Sequence, residues 1–192
     1  MNETQLSHAE SLQLIADMIT KAKRNIAKRG SFYFLLWGWV VLMGNLGHYF
    51  IAKFDLYPAP YVVWILTIPA AIISVWYSIK QKKQATSTSQ IDKVYGHLWT
   101  AVFVAIVTLL IFMGKLQFNH NAVILLFAGL GTYVSGRVLR FKPLVFGGIA
   151  LWVGSVIAFN VNPLDSYLVA GIGIILGYLI PGYMLRSAEN KN

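Results

Sequence analysis

Four histidines, seven carboxylates and no cysteine bound the chemistry open to this 192-residue chain. Without cysteine there can be no disulfide, thiolate zinc site, iron–sulfur cluster or cysteine nucleophile. The histidines stand at positions 8, 48, 97 and 120, with no local spacing of the kind that places two of them on one helix face. A metal or acid–base site would need His48, His120, Asp55 and Asp165 to converge from three separate loops. No two histidines are placed to hold a haem from both sides at one depth. Walker, dinucleotide-binding, HExxH and GxSxG patterns are all missing. The expectation is therefore no catalytic set, no metal and no cofactor, with the loop histidines and aspartates simply solvated.

The densest polar motif is basic. Gly136-Arg137-Val138-Leu139-Arg140-Phe141-Lys142-Pro143 carries three cations within six residues beside an aromatic ring. Such a cluster suits an anionic lipid headgroup or a phosphate, and it equally suits a tight turn that enforces membrane orientation. A second basic group, including Lys21, Arg24 and Lys28, invites the same lipid contact. Asn45, between Gly44 and Gly47, is the most polar residue inside an apolar stretch. It is a candidate buried polar site, or a hydrogen-bonding tie between helices.

The elements that must position these residues follow from composition. Hydrophobic side chains make up 57% of the chain and charged ones 12%, about half the usual charged share of a soluble domain. That excludes an ordinary soluble fold, a disordered chain and a nucleic-acid-binding domain, despite the net charge of +9. Six stretches have the roughly 20-residue apolar length that crosses a bilayer as a helix. They cover about 32–51, 61–79, 98–113, 122–139, 144–160 and 166–185, separated by turn signals such as Pro58, Pro60, Asn119, Pro143 and Pro163. Fourteen of the sixteen lysines and arginines fall on one side of this arrangement, with Lys53 and Lys115 alone on the other. The positive-inside rule then puts both termini in the cytoplasm. The polar, basic first 30 residues give no sign of a cleavable signal, so the first span is expected to be an uncleaved anchor.

Repetition suggests how the spans are grouped. Leu36-Trp37, Leu98-Trp99 and Leu151-Trp152 open the odd-numbered spans. LGTYVSGRVLR at 130–140 and LGYLIPGYMLR at 176–186 share five of eleven positions. The expected fold is all-α: six transmembrane helices in three in–out–in hairpins. Repeats of this kind occur in transporters and also arise by simple duplication of a stable hairpin. Ala150, Gly154 and Ala158 in the fifth span face a counterpart stripe, Gly173 and Gly177, in the sixth. They predict close helix packing, within one chain or between copies. Pro69 and Pro181 are expected to kink their spans.

Residues 1–30 predict an amphipathic basic helix. Ser7 and Glu10 fit a capping box. Leu12, Leu14, Ile15, Met18, Ile19, Ala22 and Ile26 share one half of the helical wheel, opposite Lys21, Lys23, Arg24 and Lys28. Gly30 is expected to end this helix and turn the chain into the membrane. The helix would lie on the anionic cytoplasmic surface, or offer its heptad-spaced stripe to a protein partner. Residues 187–192 form a short tail.

Ser31-Phe32, Leu36-Trp37-Gly38-Trp39, the segment 136–143 and the segment 177–186 resemble a family of uncharacterised six-pass bacterial integral membrane proteins. The resemblance covers about 12–186 and implies a bacterial cytoplasmic-membrane location, without supplying catalytic or ligand residues. The reading that follows is a non-enzymatic membrane module that binds a lipid, partner or signal through its basic cytoplasmic surface. A small carrier for a neutral or lipophilic solute is the alternative, and a lipid-modifying enzyme using the outer histidines and aspartates is a weaker one.

Overall fold

The computed structural model describes residues 8–84, 90–117 and 119–189, and within them there is no strand. Ser7, the expected cap, lies outside the described residues, as do the side chains of Lys21, Arg24 and Lys28. Seven α-helices account for the fold: α1 (His8–Lys53), α2 (Thr67–Gln84), α3 (Gln90–Ile111), α4 (His120–Leu139), α5 (Lys142–Asn160), α6 (Asp165–Ile174) and α7 (Ile180–Glu189). Six helical stretches are long and apolar enough to cross a membrane, the sixth formed by α6 and α7 together.

The first departure from expectation is at Gly30. α1 runs unbroken for 46 residues, about 69 Å at 1.5 Å per residue, so Gly30 does not end a separate N-terminal helix. Glycine inside a helix costs about 1 kcal/mol against alanine, yet nothing forces a break there. The missing side chain is used in packing, because a Cβ on Gly30 would stand 3.3 Å from the Tyr95 hydroxyl. The part of α1 before Gly30 therefore continues the first span by about 33 Å of helix. Leu12, Leu14, Met18 and Ile19 on it are exposed.

Both prolines expected to kink helices lie beside a change of helix type. Pro69 falls in the first turn of α2, and the chain before it, Pro60–Leu66, is a 3₁₀ helix. Proline has no N–H for the fourth carbonyl back and its ring crowds that carbonyl, so the tighter winding takes over upstream. Thr67 Oγ1 closes the junction by donating to the Trp64 carbonyl at 2.6 Å. Pro181 acts in the opposite sense: Ile175–Leu179, just before it, is a π-helical turn joining α6 to α7. Widening the ladder there accommodates the ring, which is fully buried.

The helices do not contribute equally. In the second and third spans 6% of the apolar window is buried, against 44%, 39% and 56% in the last three, so the core belongs to α1, α4, α5 and α6–α7. α2 packs on α1, through the Phe32–Tyr77 stack at 3.9 Å and a hydrogen bond from Trp37 Nε1 to Ser74 Oγ at 3.1 Å. α3 leans on α4 and α1, with Trp99 over Gly131 and edge-on to Phe34.

α4 and α5 form the most extensive pair, closely packed because they are nearly bare of side chains where they meet. A Cβ on Gly148 would come within 2.7 Å of the Tyr133 backbone, and one on Gly136 within 2.6 Å of the Val145 nitrogen. On the other side of α5, Gly154 faces Gly173, Ala158 is fully buried and Gly177 takes the Leu151 side chain, which a Cβ would meet at 2.4 Å. Ala150 is half-buried and lines a groove together with Leu176 and Ile180 of the sixth span.

These contacts predict unequal costs. Gly148→Ala has to push the α4 backbone away, so it should cost about 1–3 kcal/mol, the usual range for overpacking. Gly154→Ala meets the Leu125 side chain at 3.5 Å and Gly173 Cα at 4.0 Å, both ordinary contacts, and should be nearly neutral. Thermal unfolding of the two purified variants in one detergent checks the ranking.

Candidate functional site

Polar side chains gather at each end of the bundle. At the end where α4 begins, three elements converge. His48, in the last turns of α1, stacks on Tyr167 of α6 with ring centroids 4.0 Å apart. The Tyr167 hydroxyl and His120 Nε2, at the start of α4, share a hydrogen bond of 3.3 Å. Beside them Asn121 Nδ2 donates to Ser166 Oγ at 3.0 Å, and Ser166 Oγ donates to the Pro163 carbonyl at 2.6 Å. Ser155 of α5 ties in by donating to the Ala122 carbonyl at 2.7 Å. His120, Asn121, Ser155, Ser166 and Tyr167 are all buried.

His48 and His120 are thus brought together, and the aspartates expected to join them are engaged elsewhere. Asp165 starts α6 in a local turn: its carboxylate accepts from Asn162 Nδ2 at 2.5 Å, and its N–H donates to Asn162 Oδ1 at 2.8 Å. Asp55 is exposed in a left-handed turn, φ 49°, just after α1. Among the described residues, no three histidine, aspartate or glutamate side chains come together to hold a metal ion. The group is a packed imidazole–phenol pair that links α1, α4 and α6.

Asn45 is also buried, but it makes a different contact from the one expected. Its Nδ2 donates to the Val41 carbonyl one turn back in α1, at 2.8 Å, so it does not tie two helices together. Its Oδ1 is a buried acceptor with no hydrogen-bond partner among the described residues.

The other end carries the basic turn. α4 closes with Arg140 in the left-handed region, φ 54°. Phe141 N–H donates to the Gly136 carbonyl at 2.9 Å, and Arg140 N–H to the Arg137 carbonyl at 3.3 Å. This is the paired hydrogen-bond pattern of a Schellman cap, whose left-handed residue is ordinarily glycine. An arginine there stores about 1 kcal/mol or more of backbone strain. The turn leaves Arg137, Arg140 and Lys142 all exposed, with no carboxylate between positions 136 and 143 to neutralise them. Lys142 opens α5, and its side chain stands at one end of an apolar groove of about 420 Å³ between α5 and the π-turn–α7 segment.

Tyr167, Asn121, Ser166 and Ser155 carried no signal in the sequence, because each is a single residue at an unremarkable spacing and only helix packing brings them together. Comparison with protein-family models, with curated proteins and with solved structures finds no match for this chain.

The polar group at the His120 end has a simple test. Tyr167→Phe deletes the bond to His120 and keeps the ring on His48, so it should cost about 0.5–1.5 kcal/mol. Tyr167→Ala also removes the stacked ring and should cost about 3–5 kcal/mol, as buried aromatic truncations do. Unfolding titrations of the two variants measure the difference.

Proposed function

We propose that the protein is a non-enzymatic, multi-pass module of the bacterial cytoplasmic membrane that binds anionic lipid through its basic cytoplasmic surface. In this reading both termini are cytoplasmic and the spans run as three in–out–in hairpins. The observation that carries it is the turn joining α4 to α5. Three exposed cations sit on one tight, strained loop at the end of the bundle core, and the loop sequence from 136 to 143 contains no acid. The positive-inside rule places this loop at the cytoplasmic headgroup layer, where phosphate is the abundant anion. Lys21, Lys23, Arg24, Lys28 and Arg29 precede the first span on the same side and add to the same field. The cytoplasmic length of α1 also displays an apolar stripe that suits a protein partner or a second copy.

A second reading draws on His48 and His120 meeting at Tyr167: an outward-facing lipid-modifying enzyme. It lacks a carboxylate in the group, since Asp165 and Asp55 serve turns, and the group is closed by packing. The non-enzymatic reading is preferred on that ground.

Two measurements test the proposal. The first is lipid retention by the purified protein from mixed phosphatidylglycerol–phosphatidylcholine bilayers, read by native mass spectrometry. The wild type should keep phosphatidylglycerol, increasingly so at low salt. With each cation worth about 1 kcal/mol near an anionic surface, Arg137→Gln, Arg140→Gln and Lys142→Gln together should weaken that preference by on the order of 100-fold. Equal retention of the two lipids by the wild type would overturn the reading. The second uses single cysteines placed in this cysteine-free chain and an impermeant thiol reagent. A cysteine near Asn119 should label in intact cells and one in the 81–90 linker should not; the reverse pattern inverts the topology.

A further inference from the structure

We infer that the groove between α5 and the π-turn–α7 segment holds one acyl chain of an anionic phospholipid, with the headgroup phosphate on Lys142. This rests on the anionic-lipid reading above and assigns that reading a specific seat. The groove exists because of two local features. Gly147 lets α5 approach the sixth span so closely that a Cβ would lie 2.9 Å from the Gly177 carbonyl and 3.1 Å from Pro181 Cγ. That crossing makes a shallow floor of small or ring-locked residues. Around it stand larger side chains that are not folded over the floor: Phe146, Leu176, Ile180 and Met184 are all exposed. The π turn immediately before Ile180 offsets α7 from α6 by the extra residue in its wider ladder, and so sets where these side chains fall along the groove.

Charge and shape together select the occupant. The walls are apolar throughout, apart from Lys142 at one end. A second protein helix laid in the groove would meet that ammonium with no need for it, whereas a phospholipid has an anion at one end and a hydrocarbon chain below. Along α5 the lining runs from Lys142 to Ala150, about 12 Å of helix, so it accommodates the upper part of a chain within a leaflet about 15 Å thick. The volume of about 420 Å³ falls within the usual range of ligand pockets. Nor is Lys142 alone in favouring the phosphate. It opens a 19-residue helix whose first N–H groups receive no side-chain cap from Phe141, and the positive end of that helix lies at the same level.

The energetics say what each part contributes. A lipid tail leaves hydrocarbon to enter the groove, so there is no hydrophobic gain and the walls contribute fit and residence time. Selectivity for the anionic lipid must come from Lys142 and its neighbours. The two contributions are therefore separable by mutation.

The test uses the full chain in nanodiscs containing spin-labelled phosphatidylglycerol or phosphatidylcholine, with the motionally restricted lipid fraction read by electron paramagnetic resonance. Ala150→Phe fills the groove from a half-buried position on α5, and Ile180→Trp fills it from the opposite, exposed wall. Either should lower the restricted phosphatidylglycerol fraction several-fold, while Ile157→Trp, on an exposed part of α5 away from the groove, should not. Lys142→Gln should shrink the difference between the two lipids in the groove about fivefold. If both filling variants leave the restricted fraction unchanged while neutralising Arg137, Arg140 and Lys142 abolishes it, lipid binds the basic turn alone and the groove assignment is wrong. If neither kind of variant has an effect, the anionic-lipid reading falls with it. A Phe146→Cys variant that forms disulfide-linked dimers in nanodiscs would show a second copy seated there and would also overturn the assignment.

Discussion

Inside a bilayer no hydrophobic force holds one helix against another, because lipid tails are as apolar as leucine. What remains is contact, and here contact depends on helices without side chains at their meeting points. Gly129, Gly136 and Gly148 bring α4 and α5 to backbone distance, Gly147 does the same against Gly177 of the sixth span, and Gly177 makes room for the Leu151 side chain. Dispersion between two backbones is small per atom pair and falls off within an ångström, so the whole core rests on keeping these positions bare. Hydrogen bonds such as Ser155 to the Ala122 carbonyl become possible only once the backbones are that close.

The same constraint explains why α2 and α3 stay at the periphery. Neither carries a glycine stripe toward the core. α2 is held through rings and hydroxyls on α1, including Tyr33 and Trp37 on Ser74, and Trp64 settles over Gly44. α3 is held mainly by Trp99, which fills the notch above Gly131 and forms an edge-on aromatic group with Phe34 and Tyr178. The three tryptophans of the repeated Leu-Trp pairs thus end in different settings. Trp37 bonds Ser74, Trp99 covers a glycine, and Trp152 lies over Gly129 while donating to the Leu126 carbonyl at 3.2 Å. The two longer repeats, 130–140 and 176–186, place their glycines at close crossings in both copies, but only the second contains Pro181 and the π turn before it. That difference creates the groove beside α5.

Charge display and backbone strain are set against each other at the α4–α5 turn. Glycine would close the Schellman cap without strain, and arginine closes it with a cation on display. The His120 end shows the reverse balance. His48 stacks on Tyr167, Tyr167 bonds His120 and Asn121 bonds Ser166, so the polarity there links α1, α4 and α6.

Six apolar stretches of spanning length, and the side on which the cations fall, are properties of the linear chain, and the sequence alone determined the number and approximate limits of the spans. Lipid demands internally bonded backbone, and that demand acts on each stretch separately, without reference to its neighbours. The small-residue stripes were legible for the same reason, since a spacing of four marks one helix face. Three things were decided only by tertiary structure. Gly30 could end a helix or admit a neighbour, and the approach of Tyr95 made it the second. Pro69 and Pro181 had to disturb their helices, but packing chose tight winding for one and wide winding for the other. The meeting of His48, His120 and Tyr167, and the groove beside Lys142, depend on which helices pack together and at what rotation. That choice is made by complementarity between whole helix surfaces, a property of pairs of helices that no single stretch of sequence contains.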